Sequence, residues 1–93
     1  MVMNFEWDEN KNIVNIRKHK IDFSDVPLVF DKTMLIDYDD SQIYDEDRWI
    51  GIGLLQNIVV VIVFTERNQN TIRIISARKA TRSEREKYYE KIF

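Results

Sequence analysis

The run Arg73-Ile74-Ile75-Ser76-Ala77-Arg78-Lys79-Ala80, near the end of a 93-residue chain, sets two guanidinium groups and a hydroxyl along what reads as one strand. Guanidiniums bind the non-bridging oxygens of a phosphodiester and stabilise the charge that grows on them during cleavage. A strand knitted by salt bridges would carry the same residues, so the rest of the chain has to supply a base and a site. Side chains alternate along a strand. Ser76 and Arg78 therefore share a face and form the better phosphate pair, and Arg73 points to the other face unless a bulge intervenes. His19 is the only histidine and so the only side chain that ordinarily exchanges protons near neutrality, which suits it to take the proton of a ribose 2′-hydroxyl. The competing reading is a surface histidine at a helix end, held by the helix dipole.

Arg48 opens another strand beside Asp45-Glu46-Asp47. It reads either as a phosphate-binding guanidinium or as a locally charge-paired one. Gly51 and Gly53 share one face of that strand and leave room for a ligand or another backbone, or mark a bulge. Asp37, Asp39 and Asp40 lack companions at metal-ligand spacing and read as a solvated loop. The sequence holds no P-loop, G-x-G-x-x-G, nucleophile elbow or zinc pattern, so no metal or cofactor is expected.

The elements that must position these residues follow from periodicity and punctuation. Asn4 to Trp7 reads as a short strand, and Asp8 caps a helix to about Lys18. Ile13 and Ile16 are expected to face the core, with Lys11, Asn15, Lys18 and His19 on the opposite side. A second short helix starts at Asp22 or Ser24 and ends near Phe30; Pro27 favours Ser24 as its cap, since proline is tolerated in the first turn. Four strands follow: Met34–Tyr38, Arg48–Leu55, Ile58–Thr65 and Thr71–Arg78. Gln56-Asn57 and Asn68-Gln69-Asn70 are the turns between the last three. Thr81-x-x-Glu84 is a capping box that opens a terminal helix with Arg85, Tyr88, Tyr89 and Ile92 on one side. The order βααββββα makes an α+β domain with a mainly antiparallel meander sheet. Ile58 to Phe64 is apolar at every position, so both faces of that strand need cover, either from the terminal helix or from a partner protein.

Length limits the chain to a single domain spanning residues 1–93. With no cysteine there is no disulfide or thiolate metal site. The opening residues lack the basic and apolar regions of a signal peptide, and no apolar run is long enough for a membrane, so a cytoplasmic protein is expected. The net charge of −2 is unevenly spread: residues 1–66 hold 6 Lys/Arg against 13 Asp/Glu, and residues 67–93 hold 8 against 3. The basic C-terminal quarter suits a polyanion locally, and the acidic segment from Asp31 to Asp47 suits a basic partner.

Phe5-Glu6-Trp7-Asp8, Lys11, Asn15, Lys18-His19, Phe23, Phe30, Arg48 with Gly51, Arg73-Ile74-Ile75-Ser76-Ala77-Arg78 and Glu84-Arg85-Tyr88 together resemble the BrnT family of ribonuclease toxins over nearly the whole chain. The resemblance implies a RelE-like fold and the toxin of a type II toxin–antitoxin module, which cleaves RNA without a metal and arrests translation. It implies a small ribbon-helix-helix antitoxin, two toxins held on an antitoxin dimer, and contact with promoter DNA only through that antitoxin. Carried over to matching positions, His19 is the general base or acid. Arg48, Ser76 and Arg78 bind and stabilise the phosphate, and Lys11, Lys18 and Arg73 are weaker substrate contacts. The chain departs from the family in having Lys20 where glycine usually follows the histidine, in Pro27, and in its acidic balance. These departures leave a second reading, a catalytically silent toxin-like protein that binds an antitoxin-like partner and modulates promoter repression.

Overall fold

A computed structural model describes residues 3–41, 43 and 45–92. Gln42 and Tyr44 of the polar loop, the first two residues, and Phe93, to which the sequence pattern carries the last helix, lie outside the described residues. The elements are β1 (Asn4–Glu6), α1 (Glu9–His19), a 3-10 helix (Phe23–Asp31), β2 (Leu35–Tyr38), β3 (Trp49–Leu55), β4 (Ile58–Arg67), β5 (Thr71–Lys79) and α2 (Arg82–Ile92). This is an α+β fold. Its five strands lie in the order β1-β5-β4-β3-β2, with every neighbouring pair antiparallel except β1 and β5. Among the described residues, no helix is long and apolar enough to cross a membrane.

The sheet separates two apolar layers. On its first face Val60, Ile62, Phe64, Ile72, Ile74 and Ala77 pack with Phe23, Val26 and Val29 of the 3-10 helix. On its second face Ile52, Val59, Val61 and Ala80 pack with Tyr88 of α2. Continuous apolarity in β4 is thus explained within the chain, because Val59 through Ile62 are all buried. Val63 is the one residue of the run's interior left half-buried, on the second face. In α2 itself Tyr88 is buried while Tyr89 is 45% exposed, so the four residues assigned to one side are not equally covered.

Helix α1 docks differently from its apolar pattern. Its buried residues are Asn12 and Asn15, whereas Ile13 is 47% exposed; the expectation that Ile13 faces the core and Asn15 the solvent is reversed. The reason is backbone hydrogen-bond satisfaction. β1 pairs only with Thr71–Arg73, so β5 has no strand on that side from Ile74 onward, and buried backbone groups must find partners. The Asn15 amide supplies them: Nδ2 donates to Ala77 O at 2.9 Å, and Oδ1 accepts from Ala77 N at 3.2 Å. The same Nδ2 donates to Ile21 O at 3.0 Å. Asn12 does likewise for the next segment, accepting from Phe23 N at 2.9 Å and donating to Asp22 Oδ1 at 3.0 Å.

Asp22, not Ser24, caps the second helix, its carboxylate accepting from Ser24 N at 2.9 Å. Pro27 lies within this helix, which is 3-10 rather than α. In a continued α-helix the ring of Pro27 would clash with the carbonyl four residues earlier and leave it without its N–H, so this segment does not run on as regular α-helix. Lys20 ends α1 in the left-handed region at φ 61°, with its N–H donating to Ile16 O at 2.8 Å. The glycine-type C-cap therefore persists with a side chain that disfavours it. Both expected turns are present, with Gln56 and Asn68 at positive φ.

Gly51 and Gly53 serve packing rather than ligand approach. A Cβ on Gly53 would fall 2.6 Å from Val29 Cγ1, and one on Gly51 would fall 2.5 Å from the flexible end of Met34. Val29 of the 3-10 helix can lie on β3 because Gly53 has no side chain, and Met34 fills the space beside Gly51.

Two stability measurements check this account. Asn15→Ala strands the Ala77 N–H and C=O and is expected to cost about 3 kcal/mol in urea unfolding; a loss within 0.5 kcal/mol or so would mean water replaces the amide at no penalty. Gly53→Ala is expected to cost about 1–3 kcal/mol by overpacking against a stiff β-branched neighbour, and more than Gly51→Ala, whose neighbour can swing away.

Candidate active site

The site forms where α1 meets the second half of β5. The register there contains a bulge: Phe64 pairs with Ile74, but Val63 pairs with Ser76, so Ile75 is an extra residue. The bulge resets the alternation. Arg73, Ser76 and Arg78 pair with Thr65, Val63 and Val61 respectively, which all lie on the second face. The strict-parity expectation that separates Arg73 from the other two is overturned, and all three side chains line one face.

Around this strand the predicted residues fall into three groups. Lys11, Lys18, His19 and Ser76 line one pocket of about 430 Å³, together with Asp8, Asn10, Val14, Asn15 and Ile75. Lys18 and His19 also line a second, adjoining pocket of about 520 Å³ with Lys20, Arg78, Lys79 and Thr81. The two meet at Lys18 and His19 as one groove along α1, whose charged lining is Lys11, Lys18, Lys20, Arg78 and Lys79 against the single carboxylate of Asp8. Arg48 and Arg73 lie outside both pockets. Arg48 precedes Trp49, the partner of Phe64, and so falls beside Thr65, with Arg73 on the opposite side of that residue. By strand spacing the Arg48 backbone is about 12 Å from that of Ser76. Arg48 is half-buried, with its Nε out of contact with solvent. Arg73 donates to Glu6 Oε2 at 2.7 Å.

The local reasons for these positions are specific. Asn15 fixes the rotation of α1 about its axis, and one turn on either side of it Lys11 and Lys18 project toward the groove. His19, half-buried, is the last residue of α1, directly before the left-handed turn at Lys20. Ser76 is half-buried at the bulge.

Arg78 makes a bidentate ion pair with Glu84. Its Nη1 donates to Oε1 at 2.7 Å and its Nη2 to Oε2 at 2.8 Å. Glu84 is also the capping-box residue of α2: Oε1 accepts from Thr81 N at 2.8 Å while Glu84 N donates to Thr81 Oγ1 at 3.2 Å. One carboxylate thus caps the helix and orients the guanidinium at the groove. The Arg78 fork holds the Glu84 carboxyl down to about 2, against a burial that raises it and with the Thr81 N–H adding to the lowering. The same hydrogen bonds raise Arg78.

Sequence reasoning missed Val14, Asp8 and Asn10 as pocket wall, and Lys79 and Thr81 as part of the adjoining pocket. The signal for Lys79 was its position in the basic run; Val14 gave none, since an apolar helix residue reads as core.

Compared with known proteins, residues 7–84 match the family described as "Ribonuclease toxin, BrnT, of type II toxin-antitoxin system". Among solved structures, the fold is similar to the 1.1 Å crystal structure of the Brucella abortus ribonuclease toxin BrnT, with a TM-score of 0.66 and 25% identity over 87% of this chain and 100% of that one. No curated protein matches the sequence.

The pairing gives a pH-dependent prediction. The folded-state value of Glu84 lies below its ordinary 4.5, so the pair's stabilisation is complete above about 4.5 and is lost as pH falls toward 2. Glu84→Gln is expected to lose about 1–2 kcal/mol at pH 7, allowing for screening of this partly exposed pair. The gap to wild type should close on acidification; a gap that stays constant from neutrality to pH 2 would show that the carboxylate charge contributes nothing.

Proposed function

Because this chain belongs to the BrnT family of ribonuclease toxins of type II toxin–antitoxin systems, we propose that it is a single-domain, metal-independent endoribonuclease that blocks translation and is neutralised by a small DNA-binding antitoxin. The observation that carries this reading is the convergence of His19, Lys18 and Ser76 on one pocket and of His19, Lys18 and Arg78 on the next. An imidazole, a hydroxyl and cations within one groove are what phosphodiester cleavage through a 2′-oxygen needs.

In the proposed reaction a scissile phosphate lies over Ser76 and Lys18, with its non-bridging oxygens toward Ser76 Oγ, the Lys18 ammonium and the Arg78 guanidinium. His19 takes the 2′-hydroxyl proton. The O2′–P bond forms and the P–O5′ bond breaks, giving a 2′,3′-cyclic phosphate and a 5′-oxygen that is protonated from solvent through the open groove. The excess negative charge of the phosphorane-like transition state is met by the surrounding cations, which is where a preorganised site gains most. Lys11 binds further along the strand of RNA, and Arg48 and Arg73, flanking Thr65, hold a neighbouring phosphate.

The partner in this reading is a ribbon-helix-helix antitoxin, two toxins sitting on its dimer, with promoter DNA contacted through the antitoxin. The acidic corner made by Asp37, Asp39, Asp40 and Asp45–Asp47 supports a basic partner there. One observation favours the second reading, a catalytically silent binding protein: Arg78 already has both terminal nitrogens on Glu84, and a phosphate must compete with that carboxylate.

Purified protein is expected to cleave a mixed-sequence RNA in EDTA and leave 2′,3′-cyclic ends. His19→Ala should slow this by about 10²–10⁴-fold, the usual worth of a general acid–base group, and Ser76→Ala and Arg78→Ala should slow it less. If folded wild type leaves both free and ribosome-bound RNA intact, the silent-partner reading replaces this one.

A further inference from the structure

The Asp8 end of the groove has no role in moving a proton or holding the scissile phosphate, yet it is built. Val14 is 59% exposed on a docked helix and lines the pocket together with Ile75, the bulge residue. The stems of Lys11 and Lys18 extend this apolar wall while their ammonium groups stay in solvent. Asp8 and Asn10 close the end of the pocket away from His19. Asp8 uses Oδ1 to cap α1, accepting from Asn10 N at 2.8 Å and from Lys11 N at 3.2 Å. A carboxylate has acceptor capacity beyond two such bonds.

From this arrangement we infer that the Asp8–Val14–Ile75 end of the groove is a nucleobase subsite, which holds a base of the RNA beside the scissile phosphate and selects bases that carry an exocyclic amino group. The inference rests on the ribonuclease reading for its ligand class. Three features support it. The pocket, at about 430 Å³, falls within the range of roughly 300–1,000 Å³ typical of small-ligand sites. Its lining combines the apolar Val14 and Ile75 with the polar Asp8 and Asn10, so a flat ring has an apolar surface to rest on and polar groups to address its edge. Val14 and Lys18 are four residues apart on one helix, about 6 Å between their Cβ atoms, the order of the distance across a ribose from base to phosphate. The edge chemistry sets the preference. Asp8 is the only carboxylate lining this pocket and offers acceptors alone, so it pairs with the amino groups of guanine, adenine or cytosine, whereas uracil offers it a single N3–H set between two carbonyls that repel a carboxylate.

The test uses 2′-O-methyl tetranucleotides, which cannot be cleaved through the 2′-oxygen. The set varies one position at a time among the four bases and an abasic residue, and the full-length protein is titrated by fluorescence anisotropy. At one position the amino-bearing bases should bind about tenfold more tightly than the abasic residue, the effect of burying part of a ring, with uracil between them. Val14→Ser should remove most of that difference while leaving the affinity of the abasic oligomer unchanged. Asp8→Asn keeps the helix cap, because asparagine caps as well as aspartate, and should move the preference toward uracil. Circular dichroism verifies that both variants are folded. Equal affinity for abasic and base-bearing oligomers, or a Val14→Ser loss shared by both, overturns the subsite; so does the absence of binding by any oligomer. Base discrimination with neither the matching all-ribose oligomer nor ribosome-bound RNA cleaved would instead sink the ribonuclease reading and leave the subsite standing, and cleavage without discrimination would do the reverse.

Discussion

The amide of Asn15 is the contact on which the arrangement of this molecule depends. A three-residue β1 cannot cover the whole of β5, and the uncovered backbone at Ala77 is buried beneath α1. One side-chain amide presents a donor and an acceptor with the same spacing as a peptide group, so it can complete the ladder at Ala77 in place of a strand. Its third bond, to Ile21 O, fastens the segment that follows the left-handed turn. Buried polar groups of this kind are high-stakes: satisfied, they specify one arrangement, and unsatisfied, they cost more than the bonds themselves contribute. An apolar stripe would permit α1 to rotate or slide by a fraction of a turn. The Asn15 contact does not, and that is how Lys11, Val14, Lys18 and His19 acquire fixed positions relative to Ser76.

The bulge at Ile75 is the second constraint, and it acts with the first. Without it, Arg73 and Ser76 would point to opposite faces, and the chain could not present Arg73, Ser76 and Arg78 together. With it, the local twist of β5 increases where the strand leaves β1 and meets α1. The second face is apolar and covered by α2 around Val59 and Val61, half-buried at Val63, and polar at the buried Thr65 between Arg48 and Arg73. A single sheet face is thus divided between a core under α2 and the row of candidate site side chains Arg73, Ser76 and Arg78.

The sequence shows most of the elements and little of the site's assembly. The capping box, the two turns, the short first strand and the α+β order were legible because each is a local pattern with its own physics. Asn15 was misplaced because periodicity counts apolar residues as inside, and here the buried positions of α1 are amides whose partners, Ala77 and Ile21, are set only by tertiary structure. The bulge left no mark in Ile74-Ile75, since two isoleucines fit a regular strand equally well. Gly51 and Gly53 showed that something approaches β3 closely, without showing that it is Val29 and Met34. Glu84 was legible as a cap, but its second task, holding Arg78, depends on β5 ending directly beside the start of α2.

The charge layout reconciles a net-acidic chain with the RNA substrate proposed for it. The acidic residues from Asp37 to Asp47 gather at the β2–β3 corner, near the end of β4 marked by Thr65, whose hydroxyl donates to Asp47 O at 2.6 Å. The cations of the groove gather at the other edge and the other end of the sheet, where Lys79 pairs with Val60. In a body of 32 × 31 × 28 Å, the diagonal between these corners exceeds the screening length of about 8 Å at physiological salt several-fold. A phosphate entering beside His19 therefore meets the local cations and little of the distant acid. Net charge governs how the molecule behaves at long range and low salt. The groove's own charges act at hydrogen-bonding distance, and there the competing anion that matters is Glu84, already seated on Arg78 with two short bonds. In the proposed reaction, affinity at that position is set by the difference between a phosphate and this internal carboxylate, which also holds the first turn of α2.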